Sequence, residues 1–85
     1  MTDLVARFET AAQQAAQLPR RPDNKTLLKL YALYKQATIG NAPDVRPDPS
    51  DFVDRVKYDA WSKLKGTAMD QAMQDYIDLV ESLRT

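Results

Sequence analysis

All five prolines of this chain fall in two short stretches, "LPRRPDN" at residues 18–24 and "NAPDVRPDPS" at residues 41–50. Proline lacks a backbone N–H and its ring breaks a helix interior or a central strand, so both stretches are connections and regular structure lies outside them. The first reads as a turn. The second carries no helical period and is long for so small a domain, the kind of loop that is often functional. The remaining segments all read as helix. Residues 3–18 place Leu4, Val5, Phe8, Ala12, Ala15 and Leu18 at three- and four-residue spacings, one face of a helix that stops before Pro19. Asp23 is placed to cap a second helix whose apolar set is Leu27, Leu28, Leu30, Tyr31, Leu33, Tyr34 and Ala37, with Gly40 as its stop.

A third helix over residues 51–65 sets Val53, Val56, Ala60 and Leu64 on one stripe and ends at Gly66. The "GTAMD" that follows matches a variant of the capping box, with Thr67 as cap and Asp70 in the first turn. It leads into a fourth helix with Met69, Ala72, Met73, Tyr76, Ile77, Val80 and Leu83 on its apolar side. No run alternates with the period of a half-buried strand. Eighty-five residues are enough for one core and too few for two, so the expectation is one all-α domain spanning residues 1–85.

What the chain lacks narrows its chemistry. It has no cysteine and no histidine, so it has no disulfide, no thiolate or imidazole for a metal, and no neutral-pH acid/base of the commonest kind. Neither a metal nor a cofactor is expected. Twelve basic and twelve acidic side chains cancel, so the overall field favours neither nucleic acid nor an anionic membrane, and any anion site must be local. The N-terminal "MTDLVARFETAAQQ" lacks the apolar core of a signal peptide, and no stretch approaches the ~20 apolar residues of a membrane span. A soluble cytoplasmic protein, monomeric and without integral membrane association, is the expectation.

One helical face is unusual. Tyr31 and Lys35 are four apart on the second helix, with Leu27 and Leu28 one turn before them, so a phenol and a cation share a side with leucines. On the third helix Lys57 and Trp61 repeat the arrangement beside Tyr58, and Tyr76 sits in the apolar stripe of the fourth. Lysine ammoniums with tyrosine hydroxyls suit a phosphate, the first as mobile point charges and the second as neutral donors that survive partial burial. The rings offer flat surfaces to a base. On pattern alone the blander reading stands beside this one: tyrosines at helical spacing serve as core, lysines as solvated positions, Trp61 as structure, and Met69 with Met73 as packing.

The order of these residues adds weight to the first reading. "LYALYKQATIG", the loop around "RPDPSDF", "KYDAWSKLKGT" and "DQAMQDYIDLVESL" resemble the acyl-CoA-binding protein family across almost the whole chain, with three linked motifs in order and at family-like separations. The resemblance implies a four-helix bundle with a long overhand connection between helices 2 and 3, holding an acyl-CoA thioester. By the same likeness, Tyr31 and Lys35 would hold the region of the nucleotide 3′-phosphate, Lys57 would reach those phosphates from the third helix, and Tyr76 would close the site. Tyr34 would lie along the adenine, Leu27 and Leu28 would line the acyl chain, Trp61 would pack close by, and Ala32, Leu33 and Val53 complete the implied set. Ala16 and Val53 stand where lysine is common in the family, leaving two cations fewer, with Arg20, Arg21 and Arg55 near them in the chain. Tyr58 stands where tryptophan is frequent.

Three functions compete. The leading one is a non-enzymatic carrier and buffer of medium- and long-chain acyl-CoA, with acyl-CoA-using enzymes as recipients. The second is a helical interaction module using the aromatic face as a partner groove. The third, a thioesterase, is weakest, because Ser50, Ser62 and Ser82 have no histidine to activate them, which leaves it a carboxylate-only mechanism among the twelve acids, and no catalytic residue is nominated.

Overall fold

The computed structural model describes residues 3–84. It has four helices: α1, Leu4–Ala15; α2, Asn24–Thr38; α3, Phe52–Ser62; and α4, Met69–Leu83. Among the described residues there is no strand. The Asp3 carboxylate opens α1 by accepting the Ala6 N–H at 3.1 Å. The helix ends at Ala15, three residues before the expected stop. The Ala16 and Gln17 N–H groups bond to the Gln13 and Gln14 carbonyls, a tighter turn, because Pro19 disfavours the helical conformation in the residue before it. In α2 the cap expected at Asp23 is present, accepting the Thr26 N–H at 2.8 Å. Gly40 stops that helix with φ 97°, a left-handed conformation natural to glycine.

Four expectations at the third and fourth helices are corrected. The third ends at Ser62 rather than residue 65, and residues 63–66 continue as three-residue turns, with Leu64 N–H on Trp61 O and Thr67 N–H on Leu64 O, until Gly66 at φ 91° reverses the chain. Thr67 is not the cap of α4. Ala68 holds that position with no side-chain bond, so the capping box does not form, and Asp70 remains in the first turn where the helix dipole favours an acid. Val53 is 65% exposed in the first turn of α3, and Met69 is also exposed, so neither belongs to the buried stripe. Trp61 is the one buried residue of α3.

The helices pack as α1 on α4, α4 on α2, and α2 on α3, in that lateral order. The core of Phe8, Ala11, Leu30, Leu33, Ala37, Ala72, Tyr76, Ile77 and Val80 belongs to α1, α2 and α4, while α3 hangs from α2 alone. The principal extents are 41 × 30 × 15 Å, so the bundle is shallow in one direction. Lys57 lies over Tyr31 and Trp61 beside Lys35, a step of four on α3 against four on α2, so these two helices run the same way. A same-direction pair needs a connection that travels the full length back, which is the overhand loop over residues 39–51.

That loop is tied down by side chains. The Trp61 indole N–H donates to the Gly40 carbonyl at 2.8 Å, the Tyr58 hydroxyl donates to the Pro43 carbonyl, and Arg46 makes a two-pronged pair with Asp59 at 3.0 and 2.6 Å. Asp48 accepts from the Ser50 N–H and hydroxyl just before α3. The hydrogen bond from Arg46 holds the Asp59 carboxyl below the usual carboxylate range, and backbone N–H groups do the same for Asp23 and Asp48. Their stabilisation is fully present above the ordinary value of 3.8 and is lost as the pH falls through the lower folded values. Thermal melts are therefore expected to hold steady from neutral pH towards that value and to drop below it. Equal melting temperatures at pH 7 and about pH 3 would show that these carboxylates are not held.

Candidate ligand-binding site

The mixed face of α2 meets α3 in a cluster of two rings and two cations. The Lys35 ammonium lies 5.7 Å from the Tyr31 ring centre and 5.7 Å from that of Trp61, and the Lys57 ammonium lies 5.1 Å from the Tyr31 ring. Four-residue spacing on each helix produces this, since Tyr31 and Lys35 share one face of α2 and Lys57 and Trp61 one face of α3. Neither lysine is in an ion pair among the described residues, where the pairs are Arg46 with Asp59 and Arg84 with Glu81. Two like charges therefore converge on one ring with no carboxylate to neutralise them, an arrangement complementary to a phosphate.

A second group of rings adjoins the first along α2. Tyr34 stacks on Phe8 with centres 5.5 Å apart, Phe8 meets Tyr76 edge-on at 5.1 Å, and Tyr34 and Tyr76 are 6.0 Å apart. Tyr34 is 43% exposed and offers its ring to solvent, whereas Tyr76 is buried. Burial, with the Tyr34 phenol as a smaller cause, pushes the Tyr76 hydroxyl above the usual phenol range, so it stays protonated and able to donate.

At the other end of the same face is an apolar groove of about 270 Å³ lined by Asn24, Leu27, Leu28, Phe52 and Val56. Leu27 and Lys35 are two turns apart on α2, about 12 Å along its axis. One side of the molecule thus presents cations at one end and hydrocarbon at the other. Two larger grooves lie elsewhere and are less suited to an anion. The one of about 530 Å³ between α2 and α4 sets Lys29 against Asp75 and Asp78, and the one of about 420 Å³ between α1 and α4 sets Arg7 against Asp78 and Glu81.

Of the residues nominated from the sequence, Tyr31, Lys35 and Lys57 come together, Leu27 and Leu28 line the apolar groove, and Tyr34 and Tyr76 join the second ring group. Ala32 and Leu33 are each 3% exposed and face the protein interior. Val53 does not line the groove, although its neighbour Phe52 and nearby Val56 do. Phe8, Phe52 and Val56 were not nominated. Phe8 carried only a core signal because its ring meets α2 across α4, a contact that one helix's period does not contain. Phe52 and Val56 are spaced i, i+4 like Lys57 and Trp61, and that spacing is the signal that marks them as neighbours.

Among the described residues no group of three or more metal-type side chains converges, and no helix is long and apolar enough to cross a membrane. The family model described as Acyl CoA binding protein matches residues 5–80. The chain is 43% identical over 76 residues to the acyl-CoA-binding protein of Saccharomyces cerevisiae, covering 89% of this chain and 87% of that one. It is 46% identical over the same length to enoyl-CoA delta isomerase 2 of Rattus norvegicus, of which the match spans 19%. The crystal structure of Oryza sativa acyl-CoA-binding protein 2 superposes with a TM-score of 0.88 at 42% identity, covering 94% of this chain and 87% of that one.

Proposed function

Because the chain belongs to the acyl-CoA-binding protein family, we propose that it binds medium- and long-chain acyl-CoA thioesters as a carrier and buffer, without transforming them. The observation that supports this most is the pairing of two unneutralised ammoniums over Tyr31 with an apolar groove two helical turns away. Such a face fits a ligand that is anionic at one end and paraffinic at the other. Lys35, Lys57 and Tyr31 hold the phosphates, the exposed face of Tyr34 lies along the base, and the Tyr76 hydroxyl closes that end. The acyl chain follows Leu27 and Leu28 to Phe52 and Val56. Ala32 and Leu33 act from behind by fixing α2 in the core.

The carrier works in the cytoplasm as a monomer, the whole of residues 1–85 forming one acyl-CoA-binding domain, and hands its ligand to acyl-CoA-using enzymes. The chain has no histidine to activate Ser50, Ser62 or Ser82, which speaks against thioester hydrolysis. The isomerase named in the rat relative belongs to a protein more than four-fifths of which lies outside the match, so that activity does not transfer. An aromatic face serving as a protein-partner groove is not favoured, since relatives that match over most of their length are named for acyl-CoA.

The test is a titration with palmitoyl-CoA followed by calorimetry and by Trp61 emission together. Trp61 is the sole tryptophan and borders Lys35, so its emission is expected to shift and to saturate at one equivalent, in step with the heat. Calorimetric binding with no change in emission would move the ligand away from Trp61, and no saturable heat would end the carrier reading. Unchanged thioester after overnight incubation is expected, and its loss would make the protein an enzyme.

A further inference from the structure

Lys35 and Gln36 are consecutive on α2, about 100° apart around the helix, so one faces the cation cluster while the other enters a buried polar clasp. Gln36 is 1% exposed. Its amide N–H groups donate to the Thr67 carbonyl at 2.9 Å and to the Asn41 side-chain oxygen at 2.9 Å. The Asn41 oxygen also accepts the Gly66 backbone N–H at 2.9 Å. These partners settle both amide orientations, because a carbonyl can only accept and a backbone N–H can only donate. Gln36 Oε1 is buried and has no hydrogen-bond partner among the described residues.

The clasp adjoins a link to the anion site. Asn41 follows Gly40, whose left-handed backbone aims its carbonyl at the Trp61 indole N–H, and the Trp61 ring is one of the two over which the Lys35 ammonium lies. Glycine has no side chain to hold that conformation. We infer that Asn41 is a positioning residue for acyl-CoA binding. By taking N–H groups from Gln36 and Gly66, it fixes the Gly40 carbonyl, which fixes Trp61, which in turn places Lys35 for the phosphate.

This inference rests on the acyl-CoA reading, and its test separates the two. In Asn41→Ala, palmitoyl-CoA affinity is expected to fall about tenfold, equivalent to ~1.4 kcal/mol. Free CoA should lose the same factor, since the disturbance is at the phosphate end, while the dependence on acyl chain length is retained. In the ligand-free protein the Trp61 indole N–H resonance should move from its wild-type position. Asn41→Asp keeps an oxygen able to accept both N–H groups, so it should restore the indole resonance. It should also bring affinity back to within about threefold at raised salt, where its added charge is screened. An unmoved indole resonance in Asn41→Ala, or a lowered melting temperature with unchanged affinity, would overturn the positioning role. Absence of binding by the wild-type protein would instead overturn the acyl-CoA reading, and the indole comparison would still test the clasp.

Discussion

Palmitoyl-CoA is expected to bind about a hundredfold more tightly than octanoyl-CoA. Removing one methylene from water contributes ~0.8 kcal/mol, so the roughly eight that separate these chains offer up to ~6 kcal/mol. The groove of Leu27, Leu28, Phe52 and Val56 is open on one side, so we count about half of that area as removed from water, or ~3 kcal/mol. Affinity should therefore climb steadily along the series and level off once the chain passes the end of Phe52. Free CoA, with the anionic end alone, should bind weakly. Palmitate should also bind poorly, because a carboxylate at the head of a chain seated in the groove falls short of Lys35 and Lys57. Calorimetry across acyl lengths checks this, and a flat series, or palmitate equal to its CoA ester, would separate the two ends of the site.

Lys35→Ala is expected to weaken palmitoyl-CoA binding tenfold to a hundredfold. A hydrogen bond to a charged group is worth ~1.5–3 kcal/mol, and in the proposed site two cations that form no ion pair among the described residues lie over the same Tyr31 ring. The positions where the family often carries further lysines hold Ala16 and Val53, both exposed, which concentrates the electrostatic part on Lys35 and Lys57. Lys57→Ala should show a similar loss, and the double variant less than the product of the two, because one anion is held by both. Circular dichroism should confirm that each variant is folded, since both lysines lie outside the core. Unchanged affinity in a folded Lys35→Ala protein would remove that residue from the site. Higher salt should weaken wild-type binding moderately, since a partly enclosed charge pair is screened less than an exposed one.

The number and order of the helices, the Asp23 cap, the Gly40 stop and the existence of a long loop could all be read from the chain, because proline, glycine and capping residues act locally, whereas the loop's overhand course came from the family likeness. The meeting of Tyr31 and Lys35 was legible for the same reason, as it depends on spacing within one helix. Lys57 with Trp61 was legible as a second such pair, but that it reaches the same site as Tyr31 came from likeness to a family, since nothing in a helical period says which helix lies opposite. Thr67 had the right chemistry for a cap, yet the chain leaving Gly66 places Ala68 at that position. Val53 fits an apolar stripe by spacing and is exposed because only one neighbour packs on α3. Phe8 against Tyr34 and Asn41 against Gly66 join residues far apart in sequence, and only the lateral order of the helices brings them together.

The shortest principal extent of the molecule, 15 Å, is half of the next, 30 Å. In the proposed binding mode, a bound acyl group would supply part of the apolar interior along the seam where α3 has only α2 to rest on. Occupancy then adds to folding stability. Ligand at a thousand times its dissociation constant adds ~4.1 kcal/mol to the stability of the form that binds it. For a chain of this length the intrinsic stability is only about 4–13 kcal/mol. The lifetime of such a protein against proteolysis would rise and fall with the supply of its cargo, so that a cell short of acyl-CoA would hold less of the carrier without altering its synthesis.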